Sequence, residues 1–191
     1  NQSTNMKMAP TYLVLALFAA SAGVILVKGR QAVPAHQASS HRDLVARGKY
    51  LVQLGGCTDC HTPKEMTDKG PVDDKSRLFA GHPEGLVLTA PAPSSGPWGA
   101  ATAGMTAWTG PWGVSYASNL TPDPDTGLGT WTEGQFIQAM RTGKHKGDGR
   151  DILPPMPWQP LAEADEQDLK AIHAFLRSLP PIKNQVPEPQ P

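Results

Sequence analysis

Between Thr62 and Trp131 the chain carries nine prolines and ten glycines in seventy residues. That stretch limits what the rest can fold into. Proline fixes φ and removes a backbone donor, and glycine loosens the chain, so no long helix or wide sheet can run through it. Disorder is the other outcome of such a composition. Trp98, Trp108, Trp112, Tyr116 and Trp131 argue against it, because disordered segments are poor in aromatic residues. The expectation is a long ordered wrap of loops, with at most a short ribbon pairing Leu86–Thr89 with Val114–Ala117. Over all 191 residues proline and glycine number 20 and 19, about twice the usual share, which excludes repeat arrays. Lys plus Arg equals Asp plus Glu at 17 each, so the basic excess of a nucleic-acid binder is missing.

Regular structure therefore belongs to the flanks. After a ten-residue N-terminal segment, Thr11–Val27 runs seventeen residues without a charge, roughly 25 Å of helix, close to the hydrocarbon thickness of a bilayer. A secretory signal would share its beginning and be cut after small residues such as Ala20-Ser21-Ala22. The apolar run continues to Val27, and the segment is read as a retained transmembrane anchor contacting the lipid bilayer. Basic residues on both sides leave its orientation open. Residues 28–40 form a polar linker reaching at most about 45 Å, so the domain beyond it stays near the membrane. Leu44, Val45, Gly48, Leu51, Val52 and Gly55 then mark one face of a helix over His41–Gly56. Thr132–Thr142 opens with a Thr-x-x-Gln capping box and sets Phe136, Ile137 and Met140 on one face. Asp165–Leu179 is the strongest helix, with an apolar stripe from Leu169 to Leu179. Pro180-Pro181 ends it, and the Pro-rich tail over 182–191 is expected to be extended.

The chain's two cysteines stand in one pentapeptide, Cys57-Thr58-Asp59-Cys60-His61. C-x-x-C-H is the attachment signal for c-type haem: two thiols add to the porphyrin vinyl groups and the adjacent imidazole reaches the iron. A thioredoxin-like redox pair would need a strand-to-helix setting, and a zinc site would need two further ligands. Neither is present in the sequence, so one covalently bound haem is expected, with Cys57, Cys60 and His61 as its attachment points.

A sixth ligand must come from the remaining methionines and histidines. Met6 and Met8 precede the anchor, Met66 follows His61 by five residues, and Met140 lies on a helix stripe. Met105 sits in the Gly/Trp-rich loop and stays open. Met156, in Leu153-Pro154-Pro155-Met156-Pro157-Trp158, is held by prolines on both sides, a stiff frame for presenting a thioether. It is the expected distal ligand, with His145 as the alternative. His36, His41, His82 and His173 are read as linker, loop or helix-surface residues.

Together these features resemble a class I cytochrome c, and more closely the mono-haem domains in cytochrome subunits of bacterial membrane-bound dehydrogenases. The phrases carrying the resemblance are Arg47-Gly48-Lys49-Tyr50-Leu51, Cys57–Pro63, Ser118–Trp131 and Pro154–Trp158. It implies a mainly α domain over residues 41–181 around one haem c, with a long insertion from Met66 to Ala117. Gly48 would allow a close crossing of the first and last helices, with Phe175 packed over it. Asn119 and Trp131 would line the haem edge near a propionate, or act as turn former and core aromatic. Haem attachment in this family takes place outside the cytoplasmic membrane, which implies a periplasmic domain on a single-pass anchor in the inner membrane.

The expected function is single-electron transfer between membrane-bound redox subunits of a respiratory, photosynthetic or dehydrogenase complex, with no catalytic site in this chain. The insertion and the tail would serve as docking surfaces. Two competitors differ in class. A haem sensor or small haem enzyme would have an open or displaceable distal position. A membrane-anchored scaffold would use its haem structurally.

Overall fold

The computed structural model describes residues 40–88 and 98–190. Thr11–Val27 lies outside them, and among the described residues no helix is long and apolar enough to cross a membrane.

Ser40 is the N-cap of the first helix, not linker. Its hydroxyl accepts from the Asp43 N–H at 3.3 Å, and the Asp43 carboxylate accepts from the Ser40 N–H at 3.1 Å. This reciprocal cap launches α1, His41–Leu54. The attachment motif comes directly after it as its own short helix α2, Cys57–His61. Helix α3, Glu133–Thr142, starts from the expected Thr132/Gln135 box and buries Phe136, Ile137 and Met140. The Pro-rich loop contains a single turn of helix, α4, Trp158–Ala162. Helix α5, Glu166–Arg177, is shorter than its apolar stripe suggests. Asp165 takes its N-cap position, but the side chain makes no capping bond. Glu166 and Asp168 supply the negative charge that favours a helix N-terminus.

Helices α1 and α5 make the largest interface between elements. A Cβ on Gly48 would overlap the Ala171 carbonyl and sit 2.8 Å from Phe175 Cβ, so the close crossing is what requires glycine there. Arg47 straddles the same junction with two bonds to the Asp168 carboxylate, at 2.9 and 3.0 Å. The core gathers Val52 from α1, Phe136, Ile137, Ala139 and Met140 from α3, Leu169 and Leu176 from α5, and Phe79 and Leu128 from loops.

The insertion is more regular than its composition suggests. Strands β1 (Lys64–Thr67) and β2 (Gly70–Asp73) form a hairpin beside the attachment motif. Strands β3 (Ala100–Ala101), β4 (Ala107–Gly110) and β5 (Gly113–Tyr116) form an antiparallel sheet in sequence order. The expected ribbon between Leu86–Thr89 and Val114–Ala117 is not formed. Val114 pairs with Thr109 instead, across the two-residue turn Pro111-Trp112. Closing two residues costs far less chain entropy than closing about twenty-five. Leu86–Leu88 carries no strand, and Thr89 lies outside the described residues.

The proline-rich tail is extended, as expected, but it is not a free docking strand. Asn184 is buried: its Nδ2 donates to the Ala80 and His82 carbonyls at 2.7 and 2.8 Å, and its Oδ1 accepts from the Glu84 N–H at 3.0 Å. Further on, Gln190 and Val114 exchange backbone hydrogen bonds of 2.8 and 2.9 Å. The tail thus staples the insertion to the helical core.

His173 departs from its helix-surface reading, and His82 lies in a loop as read but is buried there. His82 is fully buried, its ring bridging Thr106 Oγ1 and the Leu86 carbonyl, both at 3.0 Å. His173 faces inward from α5 with its ring 5.4 Å from that of Phe136. Loop wrapping and helix packing place both rings inside.

Candidate haem-binding site

The short helix α2 presents its three chemical groups differently. Cys57 and Cys60 are both partly exposed free thiols, and burial is the main cause raising the pKa of each. His61 is buried, its Nδ1 2.8 Å from the Ser118 carbonyl oxygen. A carbonyl only accepts, so Nδ1 carries the proton and Nε2 is left with its lone pair. Nε2 makes no hydrogen bond among the described residues. Burial drives the His61 pKa down, partly countered by the Ser118 bond, which favours the neutral ring that can ligate. An imidazole fixed through its second nitrogen by a carbonyl is how metal-binding histidines are generally oriented.

The surrounding backbone is equally determined. The Gly81 N–H donates to the His61 carbonyl at 2.8 Å, and the His82 N–H donates to the Ala117 carbonyl at 2.9 Å. Thr62, fully buried, accepts on its hydroxyl from the Phe79 N–H at 3.0 Å. Residues 79–82 and 117–118 therefore cradle the histidine from the insertion side.

Met156 is half-buried and packs against the same core cluster that Cys57 and Trp131 border. The other described methionines are placed for other work. Met140 is in the core, Met66 is exposed on β1, and Met105 is exposed at φ 55°. His145 stands edge-on to Trp131, ring centroids 4.8 Å apart, with its pKa lowered chiefly by burial.

Asn119 has its amide fully spent. Its Oδ1 accepts from the Thr121 N–H and hydroxyl at 3.0 and 2.7 Å, and its Nδ2 donates to Thr126 Oγ1 at 3.1 Å and the Ile182 carbonyl at 2.8 Å. Those are the bonds of a turn former. Trp131 flanks the core between His145 and the ammonium of Lys146, which lies 5.9 Å from its ring centroid.

Two thiols, a neutral imidazole with a free lone pair and a thioether on the same core form a donor set that fits a c-type haem. Cys57 and Cys60 would carry the thioether bonds, and His61 and Met156 the axial positions. Two contributors were not visible in the sequence. Ser118 acts through its backbone carbonyl, for which no residue type is diagnostic. Lys64 is brought to the motif by the hairpin and reaches the carbonyls of Thr58 and Thr62 at 2.8 and 3.0 Å.

The cytochrome c family pattern matches residues 45–180. The chain belongs to the cytochrome c family. Its fold is that family's, several helices with some sheet, and the resemblance carried by the four sequence phrases holds. It is 38% identical over 92 residues to a subunit of nicotinate dehydrogenase from Pseudomonas putida, covering 48% of this chain and 8% of that protein. The cytochrome c subunit of the quinone-dependent alcohol dehydrogenase of Gluconobacter oxydans is 29% identical over 157 residues, 81% of this chain and 26% of that one. The gluconate 2-dehydrogenase cytochrome c subunit of Pantoea cypripedii is 30% identical over 140 residues, 73% of this chain and 24% of that one. This cytochrome thus spans about a quarter or less of the length of those relatives.

Proposed function

We propose that this cytochrome carries single electrons through one covalently attached haem as a non-catalytic subunit of a larger dehydrogenase-type redox complex. Its anchor, Thr11–Val27, would hold it in the bacterial inner membrane with the domain in the periplasm. The observation that carries this reading is the setting of His61: buried, oriented by the Ser118 carbonyl at 2.8 Å, and adjacent to two unpaired thiols. The names of the relatives support assembly with a dehydrogenase.

When bound, the haem supplies one-electron exchange between ferric and ferrous iron. The chain supplies the rest. His61 and Met156 would hold the iron from the protein's side, which would leave no open place there for a substrate. Val52, Phe136 and Leu169 keep water from the buried side, and Cys57 and Cys60, partly exposed, mark the side open to partners. A group held in this way would exchange electrons with little rearrangement of the chain and would not activate small molecules.

The deciding experiment is spectroscopic. The purified protein should show a covalent mass increment of one haem and, in the ferric state, a weak near-infrared methionine–iron band that disappears in Met156→Leu. The reduced wild type should bind carbon monoxide poorly. Ready binding would overturn electron transfer in favour of a sensor or small enzyme. Co-purification in mild detergent should bring down subunits carrying a flavin, quinone or other redox group.

A further inference from the structure

The hairpin β1–β2 delivers one charged side chain to the attachment motif. Lys64, on the first position of β1, has its side chain only 10% exposed. Its ammonium has three hydrogens and three partners: the Thr58 carbonyl at 2.8 Å, the Thr62 carbonyl at 3.0 Å and Asp73 Oδ1 at 2.6 Å. Every donor is used, so the charge is fixed in place. The Thr62 N–H also donates to the Thr58 carbonyl, so both oxygens lie at the C-terminal end of the attachment helix, beside His61, and one cation caps that end. Asp73, paired with Lys64 in the hairpin register, is more exposed, at 35%. Solvent screens it more than it screens the lysine.

We infer that Lys64 is a positioning residue whose buried cation biases the bound haem toward its reduced form, with Asp73 as the partial counterweight. This rests on the haem attachment proposed above. Reduction lowers the positive charge at the iron, so a fixed cation favours the reduced state and a fixed anion opposes it. Lys64 follows His61 by three residues, a span of chain of about 11 Å at most, and a unit charge on that order of distance in a protein interior changes such an equilibrium by about tenfold. A lysine that only capped the helix would have no such sign: breaking the clamp from either side would loosen the motif in the same way.

The test uses the full haem-loaded chain and its redox equilibrium against a fixed mediator couple. Lys64→Met should shift that equilibrium about tenfold toward oxidised, Asp73→Asn severalfold toward reduced, and the double variant back near wild type. Lys64→Arg, which keeps the charge, should stay with wild type. Shifts of the same sign in both single variants, or no shift in either, would overturn the proposal. If Lys64→Met fails to load haem, Asp73→Asn decides alone, since it leaves both carbonyl bonds of Lys64 in place. A wild-type chain without covalent haem would defeat the underlying reading instead.

Discussion

At the residue scale, His61 is held by its neighbours on the insertion more than by the five-residue helix it ends. The Ser118 carbonyl fixes its ring, and the Gly81 N–H binds its carbonyl. Gly81 has φ +80°, and a Cβ there would lie 2.5 Å from the Ala117 oxygen and 2.6 Å from the Ser118 carbonyl carbon. Gly81→Ala combines left-handed strain with a clash against the backbone that orients the histidine. It should lower stability by at least about 2 kcal/mol, read from a urea midpoint. It should also disturb the axial spectrum, which a remote destabilising change would leave intact. The cysteines, His61 and Met156 stand out in a sequence because their own side chains would do the chemistry proposed for them. Ser118 and Gly81 act through backbone atoms, which any residue possesses. Asn119 was readable only as an open choice between haem edge and turn, and its amide here is bonded within the turn.

The element scale is where periodicity served best. Helices α1, α3 and α5 lie where their apolar stripes placed them, with ends shifted by one or two residues. Gly48 is the joint between two of them, and Gly48→Ala should cost about 2–3 kcal/mol, since the Ala171 backbone opposite cannot give way as a side chain would. Thermal or denaturant unfolding measures this directly. Helix α5 also carries a defect. His173 is buried, and its Nε2 has no hydrogen-bond partner among the described residues. Burial lowers its pKa, with Glu133 opposing. A histidine whose folded pKa is depressed stabilises fully above its unfolded value of about 6.5, and that contribution fades as pH falls below it. His173→Leu should therefore raise stability by about 1–2 kcal/mol. The difference between urea midpoints at pH 7 and pH 5 should narrow. The small sheets were the least readable elements: strands of two to four residues fall below any pattern length, and tertiary closure decides them.

For the molecule as a whole, stability depends on contacts between distant parts of the chain. Asn184 satisfies the backbone of Ala80, His82 and Glu84 at once. Asn184→Ala leaves three groups unpaired and should cost about 2–4 kcal/mol, with hydrogen exchange rising across residues 80–84 ahead of α3. Asp74, buried and bonded to Ser76 and Arg77, has its pKa pulled down to about 2. Its stabilisation is complete above about pH 4 and disappears as pH falls towards 2, so Asp74→Asn should flatten acid unfolding in that interval. Composition and motif made the family legible, whereas the tail's role was not. Nothing in Ile182–Gln190 distinguishes an extended peptide in solvent from one laid along a sheet edge. That arrangement has a consequence in time. The carbonyl of Ala80 waits for an amide made 104 residues later, on the order of ten seconds at ribosomal speed. Until then the loop over residues 80–84, whose Gly81 N–H binds the His61 carbonyl, lacks the amide that fastens it, so the attachment motif is made long before its support is complete.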